Sequence, residues 1–537
     1  MSPEMMKRHL RIVGPDERAA SVPVMTDRMV RPAVTEVRLT GFKSYRRAVL
    51  PLAPLTVLCG PSGAGKSNAL DGLEVLSRLA LGRPLAESLD GGGDGPAARP
   101  VRGGAAGCAP LDRRGFLLGC TVETRHGPIR LDVAVEVRPE PRIVRERLTG
   151  HGRILLETLH PHGGFEGAGS ARGTLHGAWH SDVPGGQIRA PFDDDRLLTA
   201  QLPLRIAGAT AAERQVSMAA EEVLVALRGV YPSEPVPQLM RGPGVPGDTM
   251  LRRHADNIAA VVERIQQECR FRHGRLLRAV QSVSPLPVRA LQVRREPGPG
   301  RAGERLVAGF REAVAGGSGV GFGSGFGSGA GSGSGSGDDG RLVPLESASD
   351  GLLRFLAFAS VLLTGPGVLQ MDPVDVPDAD RLLTVLAEDM DAGMARGQQL
   401  ALLRLAAEMC ALGHVRAVGA VHDPGAAADV PGAALVHCRR DPETGASVLA
   451  PVGRQAGGTE PVRLGTLGAV AGTAVEAEGV LPRQRSVRET RIVTGMPGAR
   501  VRPLRAADPA GADGTAGPGG TAGSDGAAGP GSGRNGA

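Results

Sequence analysis

Lysine is nearly missing from this chain: among 62 basic residues, only Lys7, Lys43 and Lys66 are lysines. Aromatic residues make up 2% of the 537 residues, so the core must be assembled mainly from Leu, Val and Ala. The six cysteines (Cys59, Cys108, Cys120, Cys269, Cys410 and Cys438) show no CxxC spacing, and several sit in apolar surroundings. Reduced thiols of a cytoplasmic protein are therefore expected, not a disulfide frame. The N-terminus lacks the apolar segment of a signal peptide. The longest apolar run, residues 355–363, is too short to span a bilayer, so no membrane association is expected. No block of five or more like charges occurs, and a net charge of +6 fits solvated faces better than a dedicated nucleic-acid surface.

Glycine and proline are plentiful, at 80 and 42 residues, and their distribution divides the chain. Residues 1–30 read as a flexible leader. An N-terminal lobe is expected over 31–230, interrupted by a Gly, Pro and Ala-rich disordered insertion at 85–112. Within it, GFLLGCTVET and IRLDVAVEV alternate as a half-buried antiparallel pair. Residues 150–190 hold five histidines (His151, His160, His162, His176 and His180) without a carboxylate or cysteine at ligand spacing, which reads as a solvated loop. Residues 211–229 and 248–281 carry helical periodicity, the latter in a helical insertion over 231–315. A Gly/Ser linker follows at 316–340; as a flexible coil of that length it spans roughly 25–30 Å. The C-terminal lobe is expected over 341–500, with helices at 379–390 and 397–412 and a hairpin over 433–452. From residue 501 to 537 the composition collapses to a disordered tail.

Lys66 stands in the most informative stretch. Gly60, Pro61, Ser62, Gly63, Ala64, Gly65, Lys66 and Ser67 match GxxxxGK[ST] and are followed by Asn68. Glycines let backbone N–H groups turn inward around phosphate oxygens. Lys66 supplies charge for the β- and γ-phosphates, and the Ser67 hydroxyl is a ligand for Mg²⁺. An apolar strand precedes the loop and an amphipathic helix follows, as this mechanism requires. ATP and Mg²⁺ are the expected cofactors.

The flanks narrow the class. Gly41-Phe42-Lys43-Ser44-Tyr45 and Gly63-Ala64-Gly65-Lys66-Ser67-Asn68 resemble the opening of the head domains in the SMC/RecF/OLD group of ABC-like ATPases. Ser349-Asp350-Gly351-Leu352-Leu353-Arg354 resembles the signature motif of that group, at a helix start where a hydroxyl and backbone N–H groups form a second phosphate edge. Read without the P-loop, the same residues are an ordinary helix N-cap. His422 matches the group's switch histidine, with His-Asp-Pro in place of His-Ser-Pro. The segment 255–261 resembles its Asn-Leu-Ala segment.

The resemblance implies an apolar strand ending in two acids, one for Mg²⁺ and one to polarise the attacking water. Residues 368–373, Val-Leu-Gln-Met-Asp-Pro, are the stretch that fits in order. Depending on alignment, Asp372 is the metal-side acid or the catalytic one, and the second acid is missing unless Asp375 or Asp378 supplies it. The fold class implied is α/β: a P-loop, ABC-like ATPase head with an antiparallel subdomain and a helical insertion. The function implied is an ATPase whose heads dimerise around ATP, with Asp372 and His422 catalytic and Ser349, Asp350 and Gly351 capping ATP across the dimer. DNA, and a separate effector such as a nuclease, are the partners the resemblance implies. The rival reading is a nucleotide-gated signalling or scaffold protein with slow or absent hydrolysis and no DNA contact.

Overall fold

The alternation of AVTEVRLTGF sets the first element, β1 (Ala33–Phe42), with Val34, Val37, Leu39 and Phe42 fully buried. The structure is a computed structural model. It describes residues 31–92, 99–159, 173–285, 287–298, 303–312, 342–371 and 381–452, all within one compact unit. The leader at 1–30, the linker at 316–340, the tail at 501–537 and Asp372, Asp375 and Asp378 lie outside the described residues.

β1 turns at Lys43 and Ser44 into β2 (Tyr45–Pro51) and is followed by β3 (Leu55–Cys59), the P-loop and α1 (Lys66–Leu79). Short helices α2 (Leu85–Asp90) and α3 (Gly104–Cys108) come next. Six strands then succeed one another: β4 (Gly115–Thr124), β5 (Gly127–Glu136), β6 (Arg142–Gly150), β7 (Arg153–Thr158), β8 (Thr174–His180) and β9 (Gln187–Asp193). With β1 and β2 they form an antiparallel sheet in the order β2-β1-β4-β5-β6-β7-β8-β9. Then come α4 (Leu198–Gln201), α5 (Ala211–Arg228), β10 (Val230–Ser233), α6 (Pro237–Met240), α7 (Ile258–Glu268) and α8 (Arg270–Val283). Strands β11 (Val288–Pro297), β12 (Glu304–Glu312) and β13 (Leu342–Pro344) make a small antiparallel sheet. The remaining elements are α9 (Asp350–Thr364), β14 (Leu383–Ala387), α10 (Arg396–Ala411), β15 (Val415–Val421), α11 (Gly425–Ala428), β16 (Ala433–Arg440) and β17 (Ser447–Val452).

The second large sheet runs β10-β14-β15-β3-β16-β17. Its first five strands are parallel, and β17 adds an antiparallel edge. β3 is buried along its whole length, as expected of a parallel strand covered on both faces. Its side chains divide between two cores. Leu58 joins α1, α5 and the antiparallel sheet, whereas Leu55, Val57 and Cys59 join α7, α8, α9 and α10. The molecule is thus a mixed α/β structure built on this parallel sheet. Helix α9 is apolar almost all round, with 13 of its 15 residues buried. Each of its large side chains contributes about 1.5–3 kcal/mol by leaving water.

Several expectations are corrected. Residues 368–371 are not a sheet strand: Val368 ends a 3-10 turn begun at Pro366, and Leu369 makes one isolated bridge to Leu251. Gly365 and Pro366 interrupt the chain there, and proline cannot donate to a ladder. Of the helix expected at 379–390, the described residues 381–390 are not helical; they contain β14, whose five residues are all buried. A short apolar run does not distinguish a buried helix from a buried strand, and β-branched Thr384 and Val385 tip the choice. The 85–112 segment is ordered over its described part, because Leu85, Leu89, Val101 and Cys108 are anchored in the core. The insertion at 231–315 holds the β11–β12 hairpin as well as helices. Around the histidines, residues 153–158 and 174–180 are strands.

Candidate functional site

The P-loop lies between a buried strand and a helix, and its shape depends on left-handed backbone at three glycines. Gly60, Gly63 and Gly65 have φ of 146°, 75° and 111°. A Cβ on Gly60 would lie 2.2 Å from the Cys438 carbonyl oxygen, and one on Gly65 would lie 2.3 Å from Ser447 Oγ. Neither position accepts a larger residue without moving a neighbouring strand. Pro61, Ser62 and Gly63 form the exposed tip, and Ala64 is buried beneath it. Lys66 Nζ folds back over the loop and donates to the carbonyls of Gly60 (2.7 Å) and Pro61 (3.1 Å). Ser67, half-buried, opens the first turn of α1.

Residues far away in sequence hold this loop from outside. Tyr45 donates its hydroxyl to Gly65 O at 2.9 Å, and Ser447 Oγ donates to Ala64 O at 2.7 Å. Ser44 Oγ lies 2.7 Å from Ser447 Oγ and accepts from Asn68 Nδ2 at 2.8 Å. Arg440 Nε donates to Gly63 O at 2.8 Å. Tyr45, Ser447 and Arg440 therefore hold three successive loop carbonyls from outside.

All five parallel strands end at the edge that carries the P-loop, the edge where ligands of open α/β sheets bind. Val421 pairs with Cys59, so His422 follows β15 beside the start of the P-loop. Next to β15, β14 ends at Ala387 and is followed directly by Glu388 and Asp389. Glu388 is buried, and Asp389 has a left-handed φ of 48°, a strained value of the kind found at functional sites. Asp391, also buried, accepts from the backbone N–H groups of His422 (2.7 Å) and Asp423 (3.0 Å) on Oδ2. Its Oδ1 lies 3.3 Å from His422 Nδ1 and orients the imidazole, whose far side is exposed. Sequence reading missed Glu388, Asp389 and Asp391. Their signal, an apolar run closed by two acids, is present in Leu-Thr-Val-Leu-Ala-Glu-Asp.

Glu388 belongs to a chain of charges. Arg102 donates to it and, at 3.2 Å, to Asp71 on α1. Lys43 Nζ donates to Asp71 Oδ2 (2.6 Å) and to the Arg102 carbonyl (2.7 Å). Burial pushes the Glu388 carboxyl up, and the Arg102 guanidinium works against that rise. Nearby, burial of Glu74 is outweighed by Arg253 and Arg78, which hold its carboxyl below the usual range.

The signature-like residues cap α9. Ser349 Oγ accepts from Leu352 N at 3.3 Å, and Asp350 pairs with Arg241 at 2.6 Å. Ser349 and Asp350 are exposed, whereas Gly351 packs on the turn after Asp391: a Cβ there would lie 2.3 Å from Gly393 O. No hydrogen bond among the described residues joins 349–351 to the P-loop.

No protein-family model matches the sequence, and no curated protein matches it either. Among solved structures the chain is similar to an Smc head bound to the C-winged helix domain of ScpA, at 12% identity and a TM-score of 0.42. That match covers 78% of this chain and 98% of the other. It is similar to the SMC head domain from Thermotoga maritima at 13% identity and a TM-score of 0.35, over 79% of this chain and 100% of that one. The Smc head with coiled coil and joint from Pyrococcus yayanosii gives 11% identity and a TM-score of 0.37, covering 79% and 97%. Scores this low carry no argument, and the reading of the site rests on this chain's own residues. No described helix is long and apolar enough to cross a membrane.

Proposed function

We propose that this chain is an ATP-binding ATPase head of the SMC/RecF/OLD type. The observation that carries the reading is the meeting, at one sheet edge, of the P-loop, an acid pair and a carboxylate-oriented histidine. The glycine geometry fits phosphate: three left-handed glycines keep Cβ atoms away from the loop, and a buried lysine has only loop carbonyls as partners. Ser67 and an acid at a neighbouring strand end offer the oxygen ligands that Mg²⁺ prefers. When bound, Mg²⁺ would supply positive charge against the phosphate oxygens.

In this reading Lys66 would exchange its own loop carbonyls for the phosphates, Ser67 and Glu388 would hold the metal, and Asp389 would orient the attacking water. His422, fixed through Asp391, faces the γ-phosphate. Glu388 and Asp389 take the two roles that the sequence alone placed around Asp372. Ser349, Asp350 and Gly351 are the edge that caps ATP in a dimer of heads.

The experiment is ATP binding and turnover in Lys66→Ala, Glu388→Gln and Asp389→Asn. Unchanged ATP affinity in Lys66→Ala would sink the reading. A scaffold with slow hydrolysis drew its support from a missing acid; two adjacent acids at β14 now favour turnover, and persistently absent turnover would restore the scaffold. DNA, and an effector such as a nuclease, come from the motif resemblance alone. ATPase rates with and without double- and single-stranded DNA test the first.

A further inference from the structure

Glu388 is held by a cation that this chain supplies itself. One guanidinium nitrogen of Arg102 donates both to Glu388 Oε1 and to Asp71 Oδ1. The two carboxylates are deeply buried, with side chains 9% and 2% exposed, whereas Arg102 is 48% exposed. A half-exposed arginine therefore reaches inward onto the acid that the proposed function assigns to Mg²⁺. Magnesium demands near-octahedral oxygen ligands at about 2.0–2.1 Å, and a guanidinium in hydrogen-bond contact with the same oxygen both fills that space and repels the ion.

We infer that Arg102 and Mg²⁺ are alternative occupants of the Glu388 carboxylate, so that loading the nucleotide site with metal requires Arg102 to withdraw. The inference rests on the ATP-binding reading and adds a regulatory contact to it. The surroundings permit the withdrawal. Asp71 keeps Lys43 as a partner at 2.6 Å, so release of Arg102 leaves it paired. Gly103 and Gly104, with φ of 84° and 60°, follow Arg102 directly and give the backbone freedom to turn outward. The Arg102 side chain already borders solvent, so its charge is not stranded on leaving. The same exchange couples metal loading to α3, which begins at Gly104.

The test uses the full chain, Mn²⁺ as a paramagnetic stand-in for Mg²⁺, and a non-hydrolysable ATP analogue. Bound Mn²⁺ is read by electron paramagnetic resonance. Arg102→Gln should bind Mn²⁺ about tenfold more tightly than wild type in the presence of the analogue, the equivalent of one charged hydrogen bond. Arg102→Lys, which keeps the cation, should lie at or near wild type and guards against a folding artefact. Glu388→Gln should weaken Mn²⁺ binding, and in its background the further change Arg102→Gln should no longer alter the affinity. In wild type, adding Mn²⁺ and analogue should speed hydrogen exchange at Gly104 and Gly107, whose amides bond to Val101 and Gly103 carbonyls. Equal Mn²⁺ affinity in wild type and Arg102→Gln, with both binding the analogue, overturns the exchange and leaves the ATP site standing. Failure of both proteins to bind the analogue overturns the ATP-binding reading itself.

Discussion

Gly65 and Asp391 show how much of the site rests on single side chains or their absence. At Gly65, φ of 111° and a would-be Cβ 2.3 Å from Ser447 Oγ leave no room for alanine. Gly65→Ala should cost about 1–3 kcal/mol in stability and weaken ATP binding, because the loop must shift against β17. Thermal unfolding and calorimetry with ATP check both; an alanine variant with wild-type affinity would mean that the brace does not set the loop. Asp391 is a positioning residue whose carboxylate satisfies two backbone N–H groups and aims His422. Asp391→Ala should cost about 2–5 kcal/mol by orphaning those donors, and lower turnover more than ATP affinity. Asp391→Asn keeps an acceptor oxygen and should recover most of the stability. Equal loss of affinity and turnover would place Asp391 in the fold alone. The P-loop was legible because its chemistry lies in eight consecutive residues. Its brace was not, because Ser44 and Ser447 stand 403 residues apart and only the folded sheet brings them together.

At the scale of elements, β14 is the instructive case. Five buried residues before two acids, four of them apolar, fit a helix as well as a strand until neighbours are known, and pairing with β10 and β15 decides. The order of the motifs therefore points to residues 368–373 as the acid-bearing strand, whereas Gly365-Pro366 breaks the chain ahead of residues 368–371, which join none of the sheets. Asp389→Asn should lower ATP turnover by about 10²–10⁴-fold while leaving ATP binding intact. Asp372→Asn should change turnover little; a collapse of activity in Asp372→Asn with a normal Asp389→Asn would return the catalytic role to Asp372. A second element-level effect concerns β6. Glu146 is fully buried and accepts from Leu198 N, Thr199 N and Thr199 Oγ1. Burial outweighs these donors and pushes its carboxyl up to about 7. An acid that holds its proton more tightly when folded stabilises the fold below its unfolded value, near 4.3, and loses that contribution as pH rises toward 7. Melting temperature should therefore fall from pH 5 to pH 8, and Glu146→Gln should flatten that slope. A slope unchanged in the variant would show that another group titrates.

The whole molecule explains why the chain's two halves cannot be separate domains. β3 from the N-terminal part is flanked by β15 and β16 from the C-terminal part, so the P-loop strand completes its sheet only when both are present. The α/β class, the strand–loop–helix context and a head split into two lobes were readable in the motifs and their order, whereas the strands that flank β3 were not, because that pairing depends on contacts across hundreds of residues. It also bears on assembly. The edge at Ser349 and Asp350 is exposed and tied to the acid-bearing turn through Gly351 and Gly393, yet no hydrogen bond among the described residues joins it to the P-loop of its own chain. An exposed hydroxyl and backbone N–H groups at the start of a 15-residue helix suit the phosphates of ATP held by a second copy. ATP with Mg²⁺ should then drive a dimer that ADP does not. Ser349→Arg, which places bulk on that edge, should bind ATP normally and remain monomeric. Light scattering on Asp389→Asn, chosen to hold ATP unhydrolysed, gives the clearest reading, since the dimer should accumulate there and disappear in the double variant with Ser349→Arg. One mass for all proteins, independent of nucleotide, would leave Ser349 as the cap of α9 and nothing more.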